Sequence, residues 1–297
     1  MRSAARLTFK TNQILGINVI REILVSEVEQ TVQTLLTESA YRLPPDYLDF
    51  LRKAGEEEES NLGRSCLTLL LENAKYAESE GVPTCQDTGM AILDLEIGQD
   101  IHFSGGDLNQ ALERAVRQAY GALRKSVVQD PILRKNTGDN TPPITHYEIV
   151  PGDQLRITLM MKGFGAELMS ALRMFPPSIG IEGVKKFVLE TVEHAGPNAC
   201  PPVIVGVGIG SSFDGVAYLA KKALMRPLGQ TNLKPHLAQL EAELLEEIND
   251  LGIGPQGLGG RYTALAVHVE SYPTHIAALP VAVNLNCSAP RRATVVI

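Results

Sequence analysis

"VPTCQDTGM", Val82 to Met90, divides this chain of 297 residues. Before it, apolar residues recur at helical spacing; after it, they alternate as in strands. The stretch itself sets a thiol, an amide, a carboxylate and a hydroxyl in succession: Cys85, Gln86, Asp87 and Thr88, between Pro83 and Gly89. Four such side chains cannot all face a core, so the segment is a tight turn or a site. The change of pattern predicts an α/β protein, with a helical N-terminal segment followed by a mixed α/β body.

Upstream, Ile20, Ile23, Leu24, Val28, Val32, Leu35 and Leu36 predict one amphipathic helix, broken by Pro44 and Pro45. A second short helix is expected from Asp46. Ser60 reads as the cap of a third, with Leu62, Cys66, Leu69, Leu70 and Ala74 on its apolar face. Cys66 on that stripe behaves as a small hydrophobe.

Downstream, Leu93, Leu95 and Ile97 alternate with Asp94 and Glu96, a strand. Leu108 to Val128 predicts a long helix. "ITHYEIV" and "LRITLMM" flank Pro151-Gly152-Asp153 as strand, turn and strand. "GIEGVKKFVLETVEHAG" and "LKPHLAQLEAELLEEINDLG" read as helices. "PPVIVGVGIG", "TALAVHVES" and "IAALPVAVNLNC" read as strands. No repeat and no linker is visible. The chain is therefore expected to be one domain over 1–297, with residues 1–20 an arm before the first helix.

That arm carries Arg2, Arg6 and Lys10 and no acidic residue. Its "ILGINVI" is too short and polar for a secretory signal; an organellar transit peptide is the alternative to a plain arm. The net charge of −7 argues against a nucleic-acid binder but leaves room for a local cationic pocket. No run approaches the roughly 18 apolar residues of a membrane span, so a soluble, cytoplasmic protein without a membrane partner is expected. The 4 cysteines include no C-x-x-C pair and suggest no disulfide framework.

Cys85, Cys200 and Cys287 each fall at an element boundary, where backbone N–H groups can point at a sulfur. They are either a shared metal site or three unrelated thiols. Three cysteines on an iron–sulfur cubane would leave one iron open, able to act as a Lewis acid where a hydroxyl leaves as water. "VGVGIGSS" misses the dinucleotide fingerprint by one place and marks a strand whose backbone approaches something closely. "NTGDNTPP" reads as a structured loop. In "KGFGAE", Lys162 beside two glycines suggests an anion cradle. His275 precedes Cys287 by twelve residues; alone it would be structural.

Together "CQDTG", "LRKSVV" with its following Asp130-Pro131, "NTGDNTP", "VPGD", "CPPVIVGVGIG" and "LPVAVNLNC" resemble the class I, iron–sulfur fumarate hydratase family. The likeness runs from about Glu22 to the C-terminus. It is to the α subunit of two-subunit members, which include L-tartrate dehydratase. The resemblance implies a [4Fe–4S] cluster on Cys85, Cys200 and Cys287, sensitive to oxygen. It makes Gln86, Arg124, Gly163 and Gly165 substrate contacts, and Asp87 and His275 catalytic residues that handle protons or position substrate. The expected activity is reversible hydration of fumarate to (S)-malate, with L-tartrate dehydration as the alternative.

Two departures are visible. The chain reads Gly163-Phe164-Gly165-Ala166-Glu167-Leu168 where family members carry a loop closer to Gly-Gly-Gly-Ser-Glu-Asn. Single-chain members also continue into a second domain, so the resemblance implies a separate smaller β subunit, in an α2β2 assembly, supplying a threonine base and further basic clamps. The rival from another class is a non-catalytic iron–sulfur scaffold or redox sensor. That rival has no use for Gln86, Asp87, Arg124 or His275.

Overall fold

The first helix starts later than its apolar spacing predicts. Residues Arg21–Leu24 form a strand, β1, paired in parallel with Ile101–Ser104, and this long-range pairing overrides the helical periodicity of Ile20, Ile23 and Leu24. The computed structural model describes residues 20–297; apart from Ile20, the predicted N-terminal arm lies outside them.

Helices α1 (Val25–Tyr41), α2 (Pro45–Glu57) and α3 (Asn61–Glu80) follow β1. Pro45 opens α2, where its missing N–H costs nothing. Ser60 caps α3 as expected, its side chain accepting the Gly63 N–H at 3.2 Å. The buried face of α3 is Gly63, Cys66, Leu67, Ala74 and Ala77, whereas Leu62 and Leu69, expected inside, are exposed.

The body continues with β2 (Met90–Gly98), β3 (Ile101–Ser104), α4 (Leu108–Ala119), β4 (Ile144–Val150), β5 (Leu155–Lys162), α5 (Phe164–Glu167) and β6 (Ala171–Phe175). Then come α6 (Gly180–Ala195), β7 (Val203–Gly210), α7 (Phe213–Ala223), α8 (Pro235–Asn249), β8 (Ala264–Tyr272), β9 (Leu279–Asn286) and β10 (Arg291–Val296). Helices with mixed sheets make an α/β fold.

Three differences from the sequence reading bear on the site. First, α4 stops at Ala119 instead of running to Val128. Lys125 Nζ folds back onto the carbonyls of Tyr120, Gly121 and Leu123, satisfying groups at the helix end. The "NTGDNTPP" loop, structured as expected, then braces the following segment. Asn140 Oδ1 accepts the N–H groups of Ser126 and Val127, and its Nδ2 donates to the Arg124 carbonyl at 2.7 Å. Second, β4 and β5 do not pair with each other; β2 lies between them, parallel to β4 and antiparallel to β5. Third, the tail beyond Cys287 is a strand, β10, antiparallel to β5.

A repetition invisible in the sequence appears in the topology. One sheet has the order β10-β5-β2-β4 and the other β6-β9-β7-β8. In each, two antiparallel pairings are followed by one parallel pairing. Each half of the chain runs strand, helical crossover, parallel strand, antiparallel strand, and then sends its last strand to the other sheet. Cys85 and Cys200 precede the first strand of each half, at β2 and β7. Gly163 and Cys287 follow the third strand of each, at β5 and β9. Four loop positions thus correspond in pairs, three occupied by cysteine and one by glycine.

Apolar cores lie on α1 and α4 against the first sheet and on α6 and α8 against the second. A third joins α2 and α3 to Ile92 and Met160 of one sheet and Ile204 and Leu265 of the other. The glycines of "VGVGIG" admit α7: a Cβ at Gly206 or Gly208 would lie 2.3 Å from the Ala220 or Val216 carbonyl oxygen. Their role is helix–strand contact.

Candidate active site

The loop of the opening motif is pinned on both sides of its polar residues. The Thr84 N–H and hydroxyl both donate to the Ala40 carbonyl, at 3.0 and 3.1 Å. The Thr88 hydroxyl donates to the Arg124 carbonyl at 3.0 Å and bonds Ser126 Oγ at 2.7 Å. Gly89 has φ +69°, and a Cβ there would stand 2.7 Å from the Lys162 carbonyl oxygen, so only glycine lets β2 start so close to the end of β5. Between these pins Cys85 and Asp87 are half-buried and Gln86 is exposed.

Asp87 is held from two loops. Its Oδ1 accepts the Gly89 N–H at 2.9 Å and its Oδ2 the Phe164 N–H at 2.7 Å. Gly163 borders the site closely: a Cβ there would lie 3.3 Å from Asp87 Oδ2 and 3.8 Å from both Cys287 Sγ and Arg291 Nη2. Gly165 lies over the next loop, where its Cβ would be 3.6 Å from the Asn198 carbonyl oxygen.

Cys200 sits in a left-handed conformation at φ +52°, and its carbonyl accepts the Ser288 N–H at 3.0 Å, tying the Cys200 and Cys287 loops together. Tyr47 fixes the same place, its hydroxyl donating to the Ser288 carbonyl at 2.8 Å. Partial burial pushes the Cys200 thiol up, and the nearby Cys287, Cys85 and Asp87 push it the same way. Burial, and then Cys287, raise the Tyr47 phenol. All three cysteines are free and reach this one region, while the free Cys66 is buried elsewhere in α3.

Arg124 reaches the region through its backbone against Thr88. Its side chain is exposed and makes no hydrogen bond or ion pair among the described residues. A cavity of about 470 Å³ opens beside Asp87, bordered by Ser126, Arg134, Phe164 and Leu168. Larger clefts of about 800 and 640 Å³ lie away from the cysteines. Lys162 is no anion cradle: it is fully buried, donates to the Gly163 carbonyl at 3.1 Å and pairs with Glu167 at 3.0 Å. Glu167 also takes Lys221, and despite burial the two lysines hold its carboxyl down at about 2.

His275 is not brought to this region. It is exposed in the loop before β9, whereas Cys287 follows β9, and the 8 residues of that strand span roughly 25 Å.

The chain matches the family model described as Fumarate hydratase (Fumerase) over residues 29–296. The chain belongs to this family. It is 42% identical over 277 residues to a Methanocaldococcus jannaschii protein provisionally named L(+)-tartrate dehydratase subunit alpha, covering 90% of this chain and 96% of that one. It is 37% identical over 279 residues to the L(+)-tartrate dehydratase subunit alpha of Escherichia coli O157:H7, covering 92% and 91%. The Escherichia coli K12 protein of that name is 36% identical over the same 279 residues. The likeness is therefore to the α subunit of the two-subunit type, within a family of hydro-lyases.

The donor set fits the cluster that this family implies. Among the described residues no three His, Cys, Asp or Glu side chains converge on one metal ion. Cys85 and Cys287 lie within electrostatic reach of Cys200, and thiolates are the ligands an iron–sulfur cluster takes. Sequence reasoning missed three features of the site: Arg134 at the cavity, Arg291 behind Gly163, and the paired loop positions. The alternation Arg291, Ala293, Val295 after Cys287 was the available signal for β10.

Proposed function

We propose that this chain is the α subunit of an iron–sulfur hydro-lyase acting on a small dicarboxylate. The carrying observation is the approach of Cys85, Cys200 and Cys287 to one region in which Asp87 stands beside the space left by Gly163. A [4Fe–4S] cluster on those three cysteines, when bound, supplies a Lewis-acidic iron for loss of a hydroxyl from carbon. The Gly163 position, which corresponds to that of Cys287 in the other half, offers no fourth thiol. This favours an enzyme over a closed electron carrier.

The protein groups then have separable roles. Asp87, with one backbone N–H on each oxygen, keeps lone pairs free to exchange a proton with the departing water. Arg124, unpaired and exposed beside the motif, is available to take a substrate carboxylate in bidentate fashion. Gln86, exposed in the same loop, is available as a hydrogen-bonding group. Gly163 and Gly165 let backbone approach the ligand. His275, in the loop before β9, lies at the far end of that strand from Cys287, so a proton role for it would be played in the site of a second copy.

Fumarate and (S)-malate are the first reading of the substrate. L(+)-tartrate is the second, favoured by the names of the relatives. Their designation as subunit alpha supports a separate β subunit that closes the site against water, which strengthens the electrostatic interactions within it. An α2β2 assembly is the proposed form. The test is anaerobic reconstitution with iron and sulfide, then turnover of fumarate, (S)-malate and L(+)-tartrate with the partner present. The substrate assigned is the one with the highest kcat/KM, and turnover of none of them would refute the reading.

A further inference from the structure

Two consecutive arginines open β10, and alternation sends them to opposite faces of the strand. Arg292 makes an ion pair with Asp46 through Nη2, although its Nε too is buried without a partner. Arg291 is 2% exposed and, among the described residues, its guanidinium makes neither a hydrogen bond nor an ion pair; its Nε is buried without a partner. Nearby, Tyr120 is fully buried and its hydroxyl also lacks a partner. Burial pushes the Tyr120 phenol up, Arg291 pulls it down and Asp87 pushes it up, so both charged groups lie within electrostatic reach of the phenol.

A buried, always-charged guanidinium without a counter-charge is costly, and natural chains keep one only where something else supplies the acceptor. The open direction is known. Arg291 Nη2 and Asp87 Oδ2 border the same gap, at 3.8 and 3.3 Å from where a Gly163 side chain would begin. Asp87 does not fill the acceptor role: each of its oxygens accepts one backbone N–H, from Gly89 and Phe164, and no hydrogen bond or ion pair to Arg291 forms.

We infer that Arg291, with the Tyr120 hydroxyl beside it, is a substrate-binding residue whose acceptor is a carboxylate of the dicarboxylate lying against Gly163. This rests on the function proposed above. The same anionic chemistry could come from the sulfurs of the cluster instead, and the experiment separates the two sources.

The variants are Arg291→Met, Arg291→Lys and Tyr120→Phe in the full chain, studied first without iron and then reconstituted with the partner subunit. Without iron, Arg291→Met should leave Tm unchanged within about 2 °C or raise it, because no partner in the chain is lost. A clear fall in Tm would show that the guanidinium has a structural partner and overturn the inference. In the reconstituted pair, iron per chain should match wild type. Affinity for fumarate or L(+)-tartrate, by calorimetry, should fall roughly 10- to 100-fold in Arg291→Met, recover partly in Arg291→Lys, and fall less in Tyr120→Phe. Wild-type affinity in Arg291→Met would overturn the inference while leaving the proposed function standing. Loss of iron in that variant would assign the guanidinium to the cluster sulfurs and also overturn it. If wild type itself bound neither dicarboxylate, the proposed function would fall first.

Discussion

The Phe164 N–H donates to Asp87 Oδ2 at 2.7 Å, joining residues 77 positions apart. This bond sets the carboxylate of the cysteine loop against the glycine loop that leaves the first sheet. Replacing Asp87 by Asn keeps the shape but turns one acceptor into an NH2 that faces a backbone donor. We expect kcat to fall about 10²- to 10⁴-fold, with iron content unchanged. A fall of less than a few-fold would remove Asp87 from the proton step.

Gly163→Ala tests the gap directly. The added methyl would lie 3.3 Å from Asp87 Oδ2, and the backbone there, at φ −67° and ψ 140°, accepts any residue without strain. The expected result is at least a tenfold loss of turnover with Tm nearly unchanged, because a small misplacement of a reacting group is costly while the fold is not. Full activity in Gly163→Ala would show that nothing approaches the gap.

Glu167 secures the turn that delivers Phe164. Glu167→Gln leaves Lys162 buried without its counter-charge, a loss of about 3 kcal/mol or more and a Tm fall of roughly 6 °C or more. In wild type this carboxyl is held at about 2, below its ordinary range. Its contribution to stability is therefore complete above the unfolded value near pH 4.5 and drains away as pH falls toward 2. Melting curves from pH 6 to pH 3 should show an acid-induced fall that is shallower in Glu167→Gln.

His275 can be tested by mixing. A reconstituted assembly of His275→Ala α chains with Cys85→Ser α chains should regain activity that neither variant shows alone, if the histidine serves the site of a second copy. Full activity of His275→Ala by itself would remove the residue from the reaction.

The sequence made the elements more legible than their partners. Ser60, Gly196 and the strands around Val205, Val267 and Val283 follow local rules, and the structure places them as read. The first helix and the end of α4 were misread because pairing with β3 and the backfolded Lys125 are contacts that no local window contains. Arg291 was missed for the same reason: its isolation is visible only once β10 has been laid beside β5. The repeated sheet plan is hard to see in the sequence because it rests on strand order, and of its two pairs of matching loop positions one is Cys85 with Cys200 and the other Gly163 with Cys287.

The central claim is that three of the four cysteines hold one iron–sulfur group on which turnover depends. The most direct measurement is iron per chain, with dicarboxylate turnover, after anaerobic reconstitution of Cys66→Ser, Cys85→Ser, Cys200→Ser and Cys287→Ser with the partner. The account predicts loss of both iron and turnover in the last three and retention of both in Cys66→Ser. Normal iron and turnover in Cys200→Ser, or loss of iron in Cys66→Ser, would contradict it.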